Sequence, residues 1–171
     1  TSSRRQRQMC IRDRIEYILT DKLGDIGKKI HTARSRNDQV LVSIQLYLID
    51  EFNFIKTEVK SLFDLLINLA KKNKNIIMPG YTHMRAAMPS SFGLWFSAYA
   101  EILIDDVISL NSTIEIINQN TLGSAAGYGT SFNIDRDFTT NDLNFKTLKY
   151  NSLACQISRN KIEKNTFDTL G

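Results

Sequence analysis

The run H-T-A-R-S-R-N-D-Q-V, residues 31–40, places His31, Arg34, Ser35, Arg36, Asn37, Asp38 and Gln39 in one short stretch. A run this polar cannot serve as a core element. It stands just before a long helix-period pattern, so it reads as a loop feeding a helix N-terminus. Such a terminus carries unpaired N–H groups and a partial positive charge, which favour anions. Two guanidiniums add fork-shaped donors suited to carboxylate or phosphate. The chemistry is that of a site for a small, multiply anionic molecule. A solvated helix cap is the competing reading; the density of different polar types, without Lys or Glu, favours the site.

A second constellation, G-Y-T-H-M-R-A-A-M-P, covers residues 80–89. Thr82 can donate a hydrogen bond to a carboxylate, and His83 is suited to proton transfer near neutral pH. A single Thr-His pair is usually an ordinary loop feature. Here, however, the chain has two His, and both fall in polar connections at opposite ends of one long helical pattern. Residues so placed cannot share a pocket within one chain. Antiparallel subunits can bring them together, so the spacing points to a site shared between subunits. A third stretch, L-G-S-A-A-G-Y-G-T-S at 122–131, is small and glycine-rich. It permits close backbone approach to a phosphate, or equally a flexible interhelix turn.

The elements that position these residues are helical. The pattern at 15–23 reads as a helix end stopped at Gly24, and 25–36 as loop. From 38 to about 72, Leu41, Ile44, Leu48, Phe52, Ile55, Val59, Leu62, Leu66 and Leu69 recur at steps of three and four. No Gly or Pro interrupts them, which predicts a helix on the order of 50 Å long. Residues 73–87 read as a connection. A second long helix is predicted from about 89 to 118, with Pro89 in its first turn and a stripe from Trp95 and Tyr99 through Leu103, Val107 and Leu110 to Ile117. A further helical segment starts near 151. The expected fold is all-α, an elongated bundle of long antiparallel helices extended by other subunits. A bare coiled coil would share the stripes but not the polar motifs at the connections.

Composition requires one correction before it can be used. Residues 4–14, R-R-Q-R-Q-M-C-I-R-D-R, back-translate in order into a common transposon-type sequencing adapter. Residues 1–14 are therefore read as translated adapter and set aside from the fold. That segment holds five of the 22 basic residues and one of the 18 acidic ones, so without it the net charge falls from +4 to zero. The basic balance then says nothing about nucleic acid. Cys10 goes with it, leaving Cys155 alone, which suits a reducing compartment. No stretch is apolar enough to span a membrane, and no metal-spaced Cys/His set is present. Residues 15–171 remain, enough for one domain with a core.

The three motifs together resemble the argininosuccinate lyase family of the fumarase/aspartase superfamily. The likeness runs from about Ile15 onward, and S-R-N-D within H-T-A-R-S-R-N-D-Q is its most specific signal. The resemblance implies a fumarase/aspartase-like central helical domain and a cytoplasmic homotetramer with active sites built from three subunits. It implies cleavage of argininosuccinate to arginine and fumarate by β-elimination, in arginine biosynthesis, with no metal or organic cofactor and no nucleic-acid or membrane partner. Asn37 matches a substrate-binding Asn, and Ser35 and Arg36 the neighbours that help hold the dicarboxylate end. Thr82 matches a substrate-binding Thr. His83 matches the His assigned as proton acceptor, or as partner of the true base. Another lyase of the superfamily, or a non-catalytic crystallin-like homologue, would share much of this pattern.

Two departures stand out. The family commonly has L-Q-x-A-Q-P after Thr-His, where this chain has M-R-A-A-M-P, with Arg85 and Met88 in place of Gln. The family's flexible loop with its catalytic Ser, expected after Gly171, and its N-terminal domain, expected before Ile15, are both outside this sequence. The chain is thus expected to be a central fragment that does not turn over by itself. Genomic sequence from an independent library should show codons upstream of Ile15 that differ from the adapter; finding the same codons there would make residues 1–14 native.

Overall fold

The computed structural model describes residues 4–33 and 35–171, without the side chains of 4–13 and His31. Arg34 and residues 1–3 of the adapter-like segment lie outside the described residues. The chain divides into two compact units, one of Thr1–Val42 with Asn120–Ile157, the other of Ser43–Gln119 with Ser158–Gly171. Among the described residues, no helix is long and apolar enough to cross a membrane.

The first unit opens with α1 (Arg4–Leu23). Gly24 ends it as the sequence predicts: at φ 61° its N–H reaches Thr20 O at 2.8 Å, a cap conformation that glycine adopts cheaply. The stretch expected to be loop instead winds into α2 (Asp25–Lys28) and a 3₁₀ turn at Lys29–His31. Next comes the start of α3 (Arg36–Lys72), a helix of 37 residues that continues into the second unit.

In the second unit α3 is followed by two strands, β1 (Ile77–Thr82) and β2 (Arg85–Ser91), and then by α4 (Phe92–Ile117). Contacts at both helix ends give the direction of α4. Gln45 near the start of α3 donates to Ile117 O and Gln119 O, at 2.8 and 2.9 Å. Gly93 at the start of α4 lies so close to the end of α3 that an added Cβ would meet Lys74 Cα at 2.7 Å. The two helices therefore run antiparallel, as the stripes predict.

The buried stripe is rotated from the expected one at that close end. Leu62, Trp95 and Tyr99 are exposed, while Ala70, Gly93 and Ala100 are buried. Small residues let the backbones approach there, which leaves no room for an indole between them. Trp95 instead stacks edge-on against Tyr99, ring centroids 5.3 Å apart. Farther along, Phe52 on α3 and Leu110 and Ile117 on α4 are buried as expected. An exposed apolar stripe remains on α4, with Trp95, Tyr99 and Ile102 at steps of four and three.

The connection at 73–87 is the main correction to the sequence reading. It is an antiparallel hairpin in which Pro79 pairs with Pro89 and Thr82 with Arg85. The strand extends through Ser91, so Pro89 belongs to β2 and not to a first helical turn. Ser91 caps α4 instead, its Oγ accepting from Leu94 N–H at 3.2 Å. Prolines are tolerated here because each strand has a free edge and a Pro·Pro pair has no N–H to leave unpaired. The register shifts between Pro79 and Tyr81, where Gly80 packs against β2. An added Cβ on Gly80 would meet Met88 O at 2.8 Å, so this bulge needs glycine.

After α4 come β3 (Gln119–Asn120), α5 (Arg136–Asp142), β4 (Thr147–Leu148), α6 (Ser152–Ile157) and α7 (Arg159–Leu170). The helix α5 replaces what reads in sequence as a polar connection; Asp135 caps it, accepting from Phe138 N–H at 2.8 Å. Arg136 ties this region together, its guanidinium donating to Leu122 O, Lys149 O and Tyr150 O. In the second unit α7 lies against α4, where the hydroxyls of Thr113 and Thr169 meet at 2.6 Å.

Gln45 is fully buried, and its amide serves Ile117 O, at the last residue of α4 and without a partner within the helix, and Gln119 O just beyond it. Gln45→Leu in the whole protein should cost about 1–3 kcal/mol for each carbonyl left unpaired, read as a lowered unfolding midpoint. An unchanged midpoint would contradict this role.

Candidate functional site

Ser35, Arg36 and Asn37 stand together at the start of α3. Ser35 is half-buried; Arg36 and Asn37, in the first turn, are exposed. Ser35 and Asp38 cap the helix reciprocally. Ser35 Oγ accepts from Asn37 N–H at 3.2 Å, and Asp38 Oδ1 accepts from Ser35 N–H at 3.1 Å. This is the S-x-x-D form of a capping box. It changes the expected chemistry. The pole of α3 already has an internal carboxylate in its first turn, and two of the N–H groups near that pole are already engaged. Recognition of an outside anion then falls on side chains: the Arg36 fork, the Asn37 amide and the Ser35 hydroxyl, whose proton stays available to donate.

Asp38 is the functional-motif residue that the sequence reading passed over. It is completely buried. Its second oxygen, Oδ2, accepts from Gly123 N–H at 3.1 Å and Ala125 N–H at 3.0 Å. The glycine-rich loop is thus neither a phosphate cradle nor a loose turn at its first residues. Gly123 (φ 81°) and Ala125 (φ 57°) turn their N–H groups inward, and a carboxylate of the chain itself occupies the position an external anion would need. Gln156 fastens the same loop, donating to Ser124 Oγ at 3.0 Å and Ala125 O at 2.8 Å. The available signals were the S-x-x-D spacing and the acidic residue in a first helical turn.

Thr82 and His83 lie together in the hairpin, Thr82 at the end of β1 and His83 in the turn, both exposed. The two-residue turn has His83 at φ 51° and Met84 at φ 62°. Two successive positive φ values are the I′ pattern, which normally selects Asn-Gly. A side chain in this conformation costs of order 1–2 kcal/mol, and such strain collects at functional sites. The turn sets His83 at the outermost point of the hairpin. This group and the Ser35–Arg36–Asn37 group fall in different compact units, Thr82 and His83 in the second and the others in the first.

A match to the lyase family extends over residues 1–167. The chain belongs to this lyase family. Argininosuccinate lyase of Phocaeicola vulgatus is 51% identical over 155 residues, 91% of this lyase chain and 35% of the relative. The chain thus spans about a third of the length of the curated relatives it matches. Among solved structures, an EDDS lyase variant with bound fumarate superposes with a TM-score of 0.83 at 26% identity, over 89% of this chain and 31% of the other. A class II fumarase from Schistosoma mansoni shares the fold, with a TM-score of 0.64 at 22% identity over 81% of this chain and 35% of the other. The predominantly helical fold of the fumarase/aspartase type is therefore established, with the hairpin as its main β element.

Met84 is 99% exposed, so substitutions there test the turn without disturbing packing. Met84→Val should be less stable than Met84→Gly by about 1–2 kcal/mol, because a branched Cβ resists positive φ. Equal unfolding midpoints for the two variants would mean that the turn lacks this conformation.

Proposed function

We propose that the whole protein is an argininosuccinate lyase, which cleaves argininosuccinate to arginine and fumarate. The observation that carries this reading is the 51% identity to the Phocaeicola vulgatus enzyme across nearly all of the chain. Residues 15–171 are read as part of the central helical domain, and residues 1–14 as non-native. The reaction is a β-elimination. A base removes a proton from the carbon next to a carboxylate, the C–N bond breaks, and the leaving guanidine nitrogen takes up a proton. Negative charge builds on the carboxylate as the proton leaves, so fixed donors there lower the barrier.

In this reading Asn37, Ser35 and Arg36 hold the dicarboxylate end. Thr82 donates to a substrate carboxylate. His83 accepts the proton, or orients the group that does. No metal or organic cofactor takes part, and the enzyme works in the cytoplasm as a step of arginine biosynthesis. The protein assembles as a homotetramer, in which Thr82 and His83 of one subunit join Asn37 and Arg36 of another. Support comes from the exposed apolar stripe of α4, a kind of surface that self-association covers. Further support is that α3 separates the two groups in sequence, its 37 residues corresponding to about 55 Å of helix.

The test uses the uninterrupted gene, with release of fumarate from argininosuccinate as readout. His83→Ala should lower kcat by about 10²-fold or more, and Asn37→Ala should weaken substrate binding by about 1–3 kcal/mol. Mixing and reassembling the two variants should restore part of the activity, because some sites then draw both native residues from different chains. Mixed tetramers that form and stay inactive would refute the shared site. A wild-type protein that binds no argininosuccinate and forms no fumarate would refute the assignment itself.

A further inference from the structure

We propose that Asp38 is a positioning residue for substrate binding. Its buried carboxylate couples the loop at 123–125 to the turn before α3, and so fixes how Arg36 and Asn37 are presented. The proposal rests on the lyase reading above for the identity of what Arg36 and Asn37 hold. The coupling itself rests on geometry alone.

The connections form one continuous chain of bonds. Gly123 and Ala125 N–H groups donate to Asp38 Oδ2, at 3.1 and 3.0 Å. Asp38 Oδ1 accepts from Ser35 N–H at 3.1 Å, and Ser35 Oγ accepts from Asn37 N–H at 3.2 Å. Both carboxylate oxygens are therefore committed, one to each partner segment. Asp38 is fully buried, as are Thr121 and Ser124 beside its loop partners. By contrast Arg36 and Asn37, in the first turn of α3, are exposed. A helix cap needs only one carboxylate oxygen. The second oxygen, bonded to a loop more than eighty residues away in sequence, does something beyond capping. It makes the orientation of the first turn of α3 depend on the glycine-rich loop, which Gln156 and Asn120 hold from other directions.

An amide at this position can accept through one oxygen only. Asp38→Asn must therefore release either Ser35 or the loop, and its NH₂ would face an N–H on the side released. Positioning errors of about 1 Å near reacting groups cost up to about 10²-fold in rate. The main effect expected here is on binding, because Arg36 and Asn37 hold the substrate and do not move its protons.

The experiment compares wild-type, Asp38→Asn and Asp38→Glu forms of the whole protein. Asp38→Asn should raise KM for argininosuccinate at least about tenfold with kcat changed much less, and Asp38→Glu should recover part of the loss. Should the Asn variant fail to fold, the Glu variant carries the same comparison against wild type, with a smaller shift in KM. Hydrogen exchange provides an arm that does not depend on turnover. In the folded variant the amides on the released side, Ser35 or Gly123 and Ala125, should lose protection by about tenfold or more. Unchanged protection at all three amides, or an unchanged KM in a folded variant, would overturn the proposal. If the wild-type protein does not cleave argininosuccinate, the lyase reading fails, and the exchange result still decides whether the coupling exists.

Discussion

A buried carboxylate governs the first turn of α3 and the segments that meet there. Asp38 has no solvent exposure and places both oxygens on backbone N–H groups of separate segments. Burying such a group without partners would be costly, so its site must supply them. The partners are available only if the loop at 123–125 turns its N–H groups inward, which requires positive φ at Gly123 and Ala125. They also require that the chain before α3 turn at Ser35. One side chain thus imposes conformation on two segments far apart in sequence, and each of them is further tied by neighbours. Arg136 holds Leu122 O, and Asn120 holds Leu122 N–H. The first turn of α3 consequently sits on a braced support, although the side chains it presents are free in solvent.

Much of this architecture could be read from the residues. The long run of apolar positions without Gly or Pro gave α3 within two residues of its start, and Gly24 marked the end of α1. The hairpin was not legible, for identifiable reasons. Pro79 and Pro89 argue against strands by themselves and become acceptable only when paired across two free edges. The turn carries His-Met in place of the Asn-Gly that announces a two-residue hairpin. The stripe of α4 was misplaced at one end because periodicity counts hydrophobicity and ignores size. Where Gly93 sets the interhelical distance, small residues face inward and Trp95 is displaced.

For the site, residue types were legible and their division of labour was not. Capping chemistry and anion-binding chemistry draw on the same groups, Ser, Asn and Asp next to a helix N-terminus. Sequence alone therefore credits Ser35, Arg36 and Asn37 to one task and gives Asp38 none. Geometry separates them: Asp38 faces inward and serves the fold, Arg36 and Asn37 face outward, and Ser35 does both, its N–H and Oγ acting in the cap while its hydroxyl proton remains for a ligand.

The two candidate groups are built on opposite principles. Around Ser35 and Asn37, bonds within the unit set the backbone, and the exposed groups inherit that rigidity. At Thr82 and His83, the backbone is held by a two-stranded ladder with free edges, and every residue from 81 to 89 is exposed. Two-stranded hairpins are marginal alone, and this one also bears two side chains at positive φ. Tyr81, Met84 and Met88 on the hairpin are exposed apolar groups. The Ser35–Asn37 group thus depends on buried bonds to a carboxylate, and the Thr82–His83 group on the ladder and turn of the hairpin, so different substitutions disturb the two: loss of a carboxylate partner in the first, loss of a turn conformation in the second.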